Sequence, residues 1–232
     1  MCLHPEIRFG YAVCQDGQVS SRPYAGVAAE TRRAERRAAL LEAALDLLGT
    51  QGLHATTLRA LYARTGLNQR YFYESFTDLD ALLGEVYDRI VTETAHAAAR
   101  AIAATPPDAD LRAKVQAAAT AILDLGGADP RKIRVALVEA TAGPALRARR
   151  KAALRHYTRL IIHYVRATSH TPEPLDEARL EFTATFLVAG WSETLIAWLD
   201  GTIPATAADL AAMFADTARA LATTCHPPTD TP

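Results

Sequence analysis

Apolar positions recur at helical spacing along most of the chain. Leu40, Leu41, Ala44, Leu47 and Leu48 share one side of a helix that begins near Thr31, and Gly49-Thr50-Gln51-Gly52 closes it. Two short helical segments follow: Thr57 to about Thr65 with Leu58 and Leu61 inward, and Asn68 to about Ser75 with Phe72 inward, separated at Gly66. Thr56 or Thr57 is placed to cap the first and Asn68 the second, because a side-chain oxygen there accepts from first-turn N–H groups that lack a partner. Thr77 or Asp78 caps a longer helix whose Leu82, Leu83, Val86, Tyr87, Ile90 and Val91 form a stripe. Beyond Pro106 and Pro107, helical patterns recur over about 109–125, 130–140, 145–168, 176–200 and 206–223, with Gly and Pro between them.

No strand-like alternation of useful length interrupts this pattern, so the predicted fold class is all-α. Residues 1–29 lack sustained periodicity and read as a mobile arm. Residues 30–77 form a three-helix unit containing a helix–turn–helix, 78–224 a larger helical unit, and 225–232 a tail.

With 232 residues and 50% hydrophobic content, the chain can bury two cores, which excludes disorder of the whole. The formal net charge of -1 leaves any nucleic-acid binding to a local cluster of cations. Cys2, Cys14 and Cys225 are odd in number and lack zinc-like spacing, which fits a reducing cytoplasm. Pro5, Glu6 and Arg8 stand where a signal peptide needs an apolar core, and no run reads as a bilayer span, so a soluble cytoplasmic protein without a membrane partner is expected.

Two capped helices joined through Gly66 suit a helix–turn–helix, whose second helix enters the major groove. Asn68, Gln69, Arg70, Tyr71 and Tyr73 supply the amide, guanidinium and phenol groups that base-edge and phosphate readout needs. Spacing alone leaves a connector between helices equally open. The run Thr56-Thr57-Leu58-Arg59-Ala60-Leu61-Tyr62-Ala63-Arg64-Thr65-Gly66-Leu67-Asn68, followed by Tyr73, Phe76 and Leu82-Leu83, resembles the DNA-binding domain of the tetracycline-repressor (TetR) family. That resemblance spans about Arg33 to Leu83. It implies phosphate contacts from Thr57 and Tyr73, base approach by Arg59, Gln69 and Arg70, and a groove-edge place for Tyr71. The family often carries a lysine as a phosphate anchor where this chain has Leu79, which would lower the salt slope of binding by about one.

Arg32, Arg33, Arg36 and Arg37 cluster on the first helix, where they reach DNA or else form a solvated face. For Tyr73 the alternative to a phosphate contact is a core aromatic.

Leu180, Ala184, Leu187, Trp191, Leu195 and Trp198 make one stripe near 176–200, while Phe182, Phe186 and Ile196 lie on other faces. Two apolar faces require two partners. Gly201-Thr202-Ile203-Pro204 joins this helix to one carrying Leu210, Met213, Phe214 and Leu221, and the hairpin doubled across a two-fold axis gives a four-helix bundle. Leu187, Trp191, Leu195, Trp198, Leu210, Phe214 and Leu221 are the expected homodimer contacts; packing of both faces within a monomer is the alternative.

For a small-molecule effector the candidate lining is Arg134, Glu139, His163, Tyr164, Phe186 and Trp191. His156, His163 and His170 recur every seven residues, but seven helical residues rise roughly 10 Å, too far for neighbours to share an ion, so no metal and no cofactor is assigned. Phosphate-loop, zinc-protease and nucleophile-elbow patterns are missing from the chain, and the nearest, Gly190-Trp191-Ser192-Glu193-Thr194, lacks the second glycine. Three functions compete: a ligand-responsive dimeric regulator on palindromic operator DNA, usually a repressor; a helical enzyme; and a dimeric binding protein that has lost DNA affinity. The residues favour the first.

Overall fold

The computed structural model describes residues 22–168 and 176–225, with side chains from residue 29 onward. Among the described residues every regular element is helical: α1 Arg22–Gln51, α2 Leu58–Thr65, α3 Gln69–Tyr73, α4 Leu79–Ala103, α5 Leu111–Ala128, α6 Pro130–Leu137, α7 Pro144–Thr168, α8 Glu177–Leu199 and α9 Ala207–Ala222. Residues 1–21 and 226–232, and with them most of the expected arm and tail, lie outside the described residues, as does His170. Residues 22–29, read as part of the arm, are the first turns of α1. Periodicity missed them because they carry no apolar stripe, and Pro23 is tolerated in a first turn, where its missing N–H costs nothing.

The expected caps are made. Thr57, Asn68 and Asp78 accept from the N–H groups of Ala60, Tyr71 and Ala81 at 3.2, 3.3 and 2.7 Å. Gly66 ends α2 at φ 70°, a left-handed conformation that a side chain would strain. The pattern read as one helix over 130–140 divides after Leu137 into α6 and a 3₁₀ turn, Glu139–Thr141.

Two apolar cores organise these helices. The first joins Leu40, Ala44, Leu45, Leu48, Leu61, Phe72 and Phe76 to Leu82, Val86, Tyr87 and Ile90 of α4 and to Val135, Ala140, Leu146 and Ala153. It therefore crosses the boundary expected at residue 77. The second gathers Ala119, Leu123, Leu137, Leu195, Leu210 and Ala211, and Ala136 packs against both.

Between the cores lies α6, pressed on α1. A β-carbon on Gly49 would stand 2.5 Å from the Arg131 β-carbon and 2.9 Å from its α-carbon, so only glycine permits that approach. Arg131 then bridges the helices, reaching Glu42 at 2.8 Å and Asp46 at 3.4 Å while Asp129 holds its Nε at 2.8 Å. The neighbouring Glu139, 7% exposed, accepts from the Leu53 N–H at 2.9 Å and pairs with Arg134 at 3.3 Å. A buried carboxylate on the body thus ties down the backbone that leads into α2.

At the far end, α8 and α9 run antiparallel. Asp176 N–H donates to the Cys225 carbonyl at 3.1 Å, and Trp191 stacks on Phe214 with ring centroids 4.3 Å apart. By length and a mean hydropathy of 1.2, Glu177–Leu199 is apolar enough to cross a membrane, which amends the expectation of no such run. Here Leu180, Thr183, Ala184, Val188, Ser192 and Leu195 bury one side of it within the protein.

Candidate nucleic-acid interface

Phe72 fixes the short helix α3. Fully buried, its ring meets the edges of Tyr62 and Tyr73 at centroid distances of 6.3 and 5.2 Å and lies 5.9 Å from Phe76. With that one side chain turned in, α3 turns Gln69, Arg70 and Tyr73 outward: all three are exposed, Tyr73 by 50% and the Arg70 side chain by 83%. Tyr73 thus packs its ring against Phe72 while leaving half of its surface in solvent.

Thr57 and Arg59 on the first turn of α2 are exposed too, and Arg59 makes no ion pair among the described residues. The caps leave chemistry to spare. Thr57 uses a lone pair of its hydroxyl for Ala60 and keeps the O–H to donate; Asn68 uses its amide oxygen for Tyr71 and keeps the NH₂. Both spare donors suit phosphate oxygens or base edges.

The arginines of α1 divide in role. Arg32 is exposed. Arg33 donates to the Glu74 carbonyl at 2.5 Å, and Arg36 pairs with the Glu74 carboxylate at 3.4 Å while lying 4.5 Å from the centroid of Tyr71. These two hold α1 against the end of α3, a role that neither the basic-cluster reading nor the solvated-face reading included. Arg37 grips Glu85 of α4 with both terminal nitrogens and covers the Phe76 ring at 4.8 Å. Sequence reasoning missed Glu74 and Glu85 altogether. Their signal is available only as long-range charge complementarity between α1 and residues some 40 positions away, which no local pattern carries.

The Arg37 hydrogen bonds, and behind them its charge and that of Arg89, hold the Glu85 carboxyl below its ordinary range against the opposing effect of burial. A carboxylate whose folded-state pKa is depressed contributes stability above its unfolded-state value, and the contribution is lost as pH falls through the folded value. Arg37→Gln should therefore flatten the acid limb of a stability-versus-pH curve measured by denaturant unfolding. Burial, and secondarily the charge of Tyr73, raises the Tyr62 hydroxyl, which is enclosed without a hydrogen-bond partner.

Leu79, at the position of the family's lysine, is part-buried against the first core. A cation there would have to leave that packing to reach a phosphate.

The residues expected to line an effector site are not brought together. Arg134 and Glu139 form the ion pair beside Leu53; His163 is exposed; Tyr164 is part-buried; Phe186 is 55% exposed and stacks on Phe182; Trp191 packs on Phe214. Residues along one helix face several neighbours, so these six are spread over different parts of the body. A more enclosed polar group lies between α4, α7 and α8. There Arg150 reaches Ser192 Oγ at 3.1 Å and Glu193 at 2.5 Å, its Nε is buried without a partner, and its charge acts on the buried Tyr87. Desolvation, opposed by that charge, pushes the Tyr87 hydroxyl up to about 12. Among the described residues no cluster of three or more His, Cys, Asp or Glu could hold a metal ion.

The expected dimer contacts are all at least partly covered within the protomer. Leu195 and Leu210 are 4% and 2% exposed inside the second core, and Trp191, Trp198 and Phe214 pack against it, with Trp198 Nε1 donating to the Ala205 carbonyl at 2.8 Å. Leu187 and Leu221 are part-buried. The stripe chosen from the sequence is the one α8 turns toward its own chain, and the residues left in solvent are Phe182 at 72%, Phe186 at 55% and Leu199 at 45%, with Met213 of α9 at 47%. Two apolar faces were read correctly; helical periodicity does not say which belongs to which partner.

The family model for bacterial regulatory proteins of the tetR family matches residues 40–86, from the middle of α1 into α4. No curated protein matches the chain in sequence. Among solved structures, a TetR-family transcriptional regulator from Syntrophomonas wolfei superposes with TM-score 0.65 at 16% identity, covering 86% of this chain and 99% of that one. FadR from Bacillus subtilis, a transcriptional regulator in complex with stearoyl-CoA, gives 0.63 at 14% identity over 78% and 96%. The multidrug binding protein EbrR, complexed with imidazole, gives 0.58 at 20% identity over 84% and 97%. At these identities the superpositions establish the fold, while the match over 40–86 identifies the DNA-binding unit. Residues 40–86 thus match the DNA-binding unit of the bacterial tetR-family regulators, and the chain as a whole has the all-helical fold of the TetR-family structures it superposes on.

Proposed function

We propose that this protein acts in the cytoplasm as a homodimeric repressor, placing α3 of each protomer in successive major grooves of a palindromic operator until a small molecule releases it. The observation that carries the reading is the outward set Gln69, Arg70 and Tyr73, held on a helix that a single buried phenylalanine locks in place, with Arg59 exposed on the first turn of α2. In this reading Arg59, Gln69 and Arg70 read base edges, Thr57, Asn68 and Tyr73 bind phosphates, and Arg32 reaches the flanking backbone. The stacked, solvent-facing Phe182 and Phe186 of α8 supply the dimer contact, because a pair of exposed phenylalanines on a long apolar helix is a surface that needs covering.

The effector acts on the group around Arg150, Tyr87 and Ser192, where an enclosed guanidinium nitrogen lacks a partner. From there Arg131 of α6 and Glu139 of the turn after it reach α1 and the entry to α2. FadR and EbrR are seen with unlike ligands, so neither lends this chain an effector.

A gel-shift or anisotropy titration at stated salt, with the duplex upstream of the protein's own gene against a random-sequence duplex, tests the reading. Arg59→Ala and Arg70→Ala are each expected to cost about 1–3 kcal/mol on the matching duplex and to relax its sequence preference, whereas Tyr73→Phe weakens both duplexes alike. Wild-type preference in both arginine variants would remove the base-contact roles.

A further inference from the structure

Glu74 stands at the C-terminal cap of α3 and meets three guanidinium groups. Its carbonyl accepts from Arg33 at 2.5 Å, Oε2 from Arg36 at 3.4 Å, and Oε1 from the Nε of Arg70, one turn earlier on the same helix, at 3.2 Å. Of the two that reach its carboxylate, Arg70 lies almost wholly in solvent, its side chain 83% exposed, whereas Arg36 is 25% exposed with its guanidinium over the Tyr71 ring. The surface offered to DNA thus carries a carboxylate in its midst, which a groove-binding face would be expected to avoid on charge alone.

Resting on the DNA-binding reading above, we propose that Glu74 is a specificity-determining positioning residue, an internal stand-in for a phosphate that occupies Arg70 until a matching base edge draws it away. The energetics favour such a device. An exposed pair separated by one helical turn is weak and exchanges readily. A single phosphate offers Arg70 one anionic oxygen in place of another and gains it little. A guanine offers two acceptors in fork geometry and gains it more. Random DNA therefore leaves Arg70 on Glu74, and matching DNA removes it. Arg33 and Arg36 stay where they are in both cases, fixing the angle between α1 and α3, so the latch moves without loosening the helix.

Salt dependence separates this from a merely structural role, because log K falls with log salt by about 0.9 for each phosphate neutralised. The measurement is the salt slope of full-length protein on a random-sequence duplex, with the upstream duplex alongside. Glu74→Gln keeps the side-chain shape, frees Arg70, and should steepen the slope by about 0.9 per protomer, about 1.8 for the proposed dimer, a roughly twelvefold greater loss between 50 and 200 mM salt. The preference for the upstream duplex falls with it. Arg70→Gln alone should leave the random-duplex slope at the wild-type value, and the double variant should return to it. A wild-type slope in folded Glu74→Gln, a shallower slope in Arg70→Gln, or a steep slope surviving in the double variant would each overturn the proposal. If Glu74→Gln fails to fold, as judged by its circular dichroism melt, the Arg70→Gln slope alone decides. Wild-type protein that binds neither duplex would reject the DNA-binding reading instead.

Discussion

Phe72→Ala is expected to lower stability by about 3–5 kcal/mol and to abolish DNA binding, the largest loss foreseen for any single truncation in the N-terminal region. The ring is fully buried, no other residue of the five in α3 is buried, and three aromatic rings pack on it. A helix this short has no stability of its own, so its position is set by this anchor, by the Asn68 cap and by the Glu74 contacts with α1. Chemical denaturation with a two-state fit measures the loss. A change below about 1 kcal/mol would mean that α3 is held mainly by polar contacts.

If the proposed dimer forms through α8, Phe182→Asp combined with Phe186→Asp should give a monomer of 25.0 kDa in light scattering where the unaltered protein gives twice that mass, with the fold intact. Both side chains are more than half exposed in the protomer, so charging them removes no intramolecular core, while two carboxylates facing their symmetry copies in a closed interface lack any counter-ion. Operator affinity should fall along with the dimer, because two linked reading heads act at a high effective concentration and separate ones do not. A double variant that remains dimeric would place the interface elsewhere on the body.

Much of the fold was legible from the sequence because it is written in short-range signals. Leu40 to Leu48, the caps Thr57, Asn68 and Asp78, and the turn at Gly66 each declare themselves within one or two helical turns. What stayed hidden depends on partners distant in sequence. The first turns of α1 have no apolar stripe to announce them, and α6 ends where Glu139 is needed at the α1–α2 junction, 86 residues from Leu53. The two faces of α8 were both visible, but the choice between own chain and neighbour turns on which face α7 and α9 happen to cover. The sequence singles out Gln69, Arg70 and Tyr73, which α3 leaves in solvent, but not the acid beside them, since an i,i+4 pair on a helix reads as ordinary surface until Arg36 is also seen to reach the Glu74 carboxylate and Arg33 its carbonyl.

The first core draws α4, α6 and α7 into the same apolar cluster as α2 and α3, and Ala136 belongs to both clusters. The helices from α1 to α3 are therefore not a separable module. A cut at residue 77 would divide this one apolar cluster, leaving Leu61 and Phe72 on one side and Val86, Val135 and Leu146 on the other.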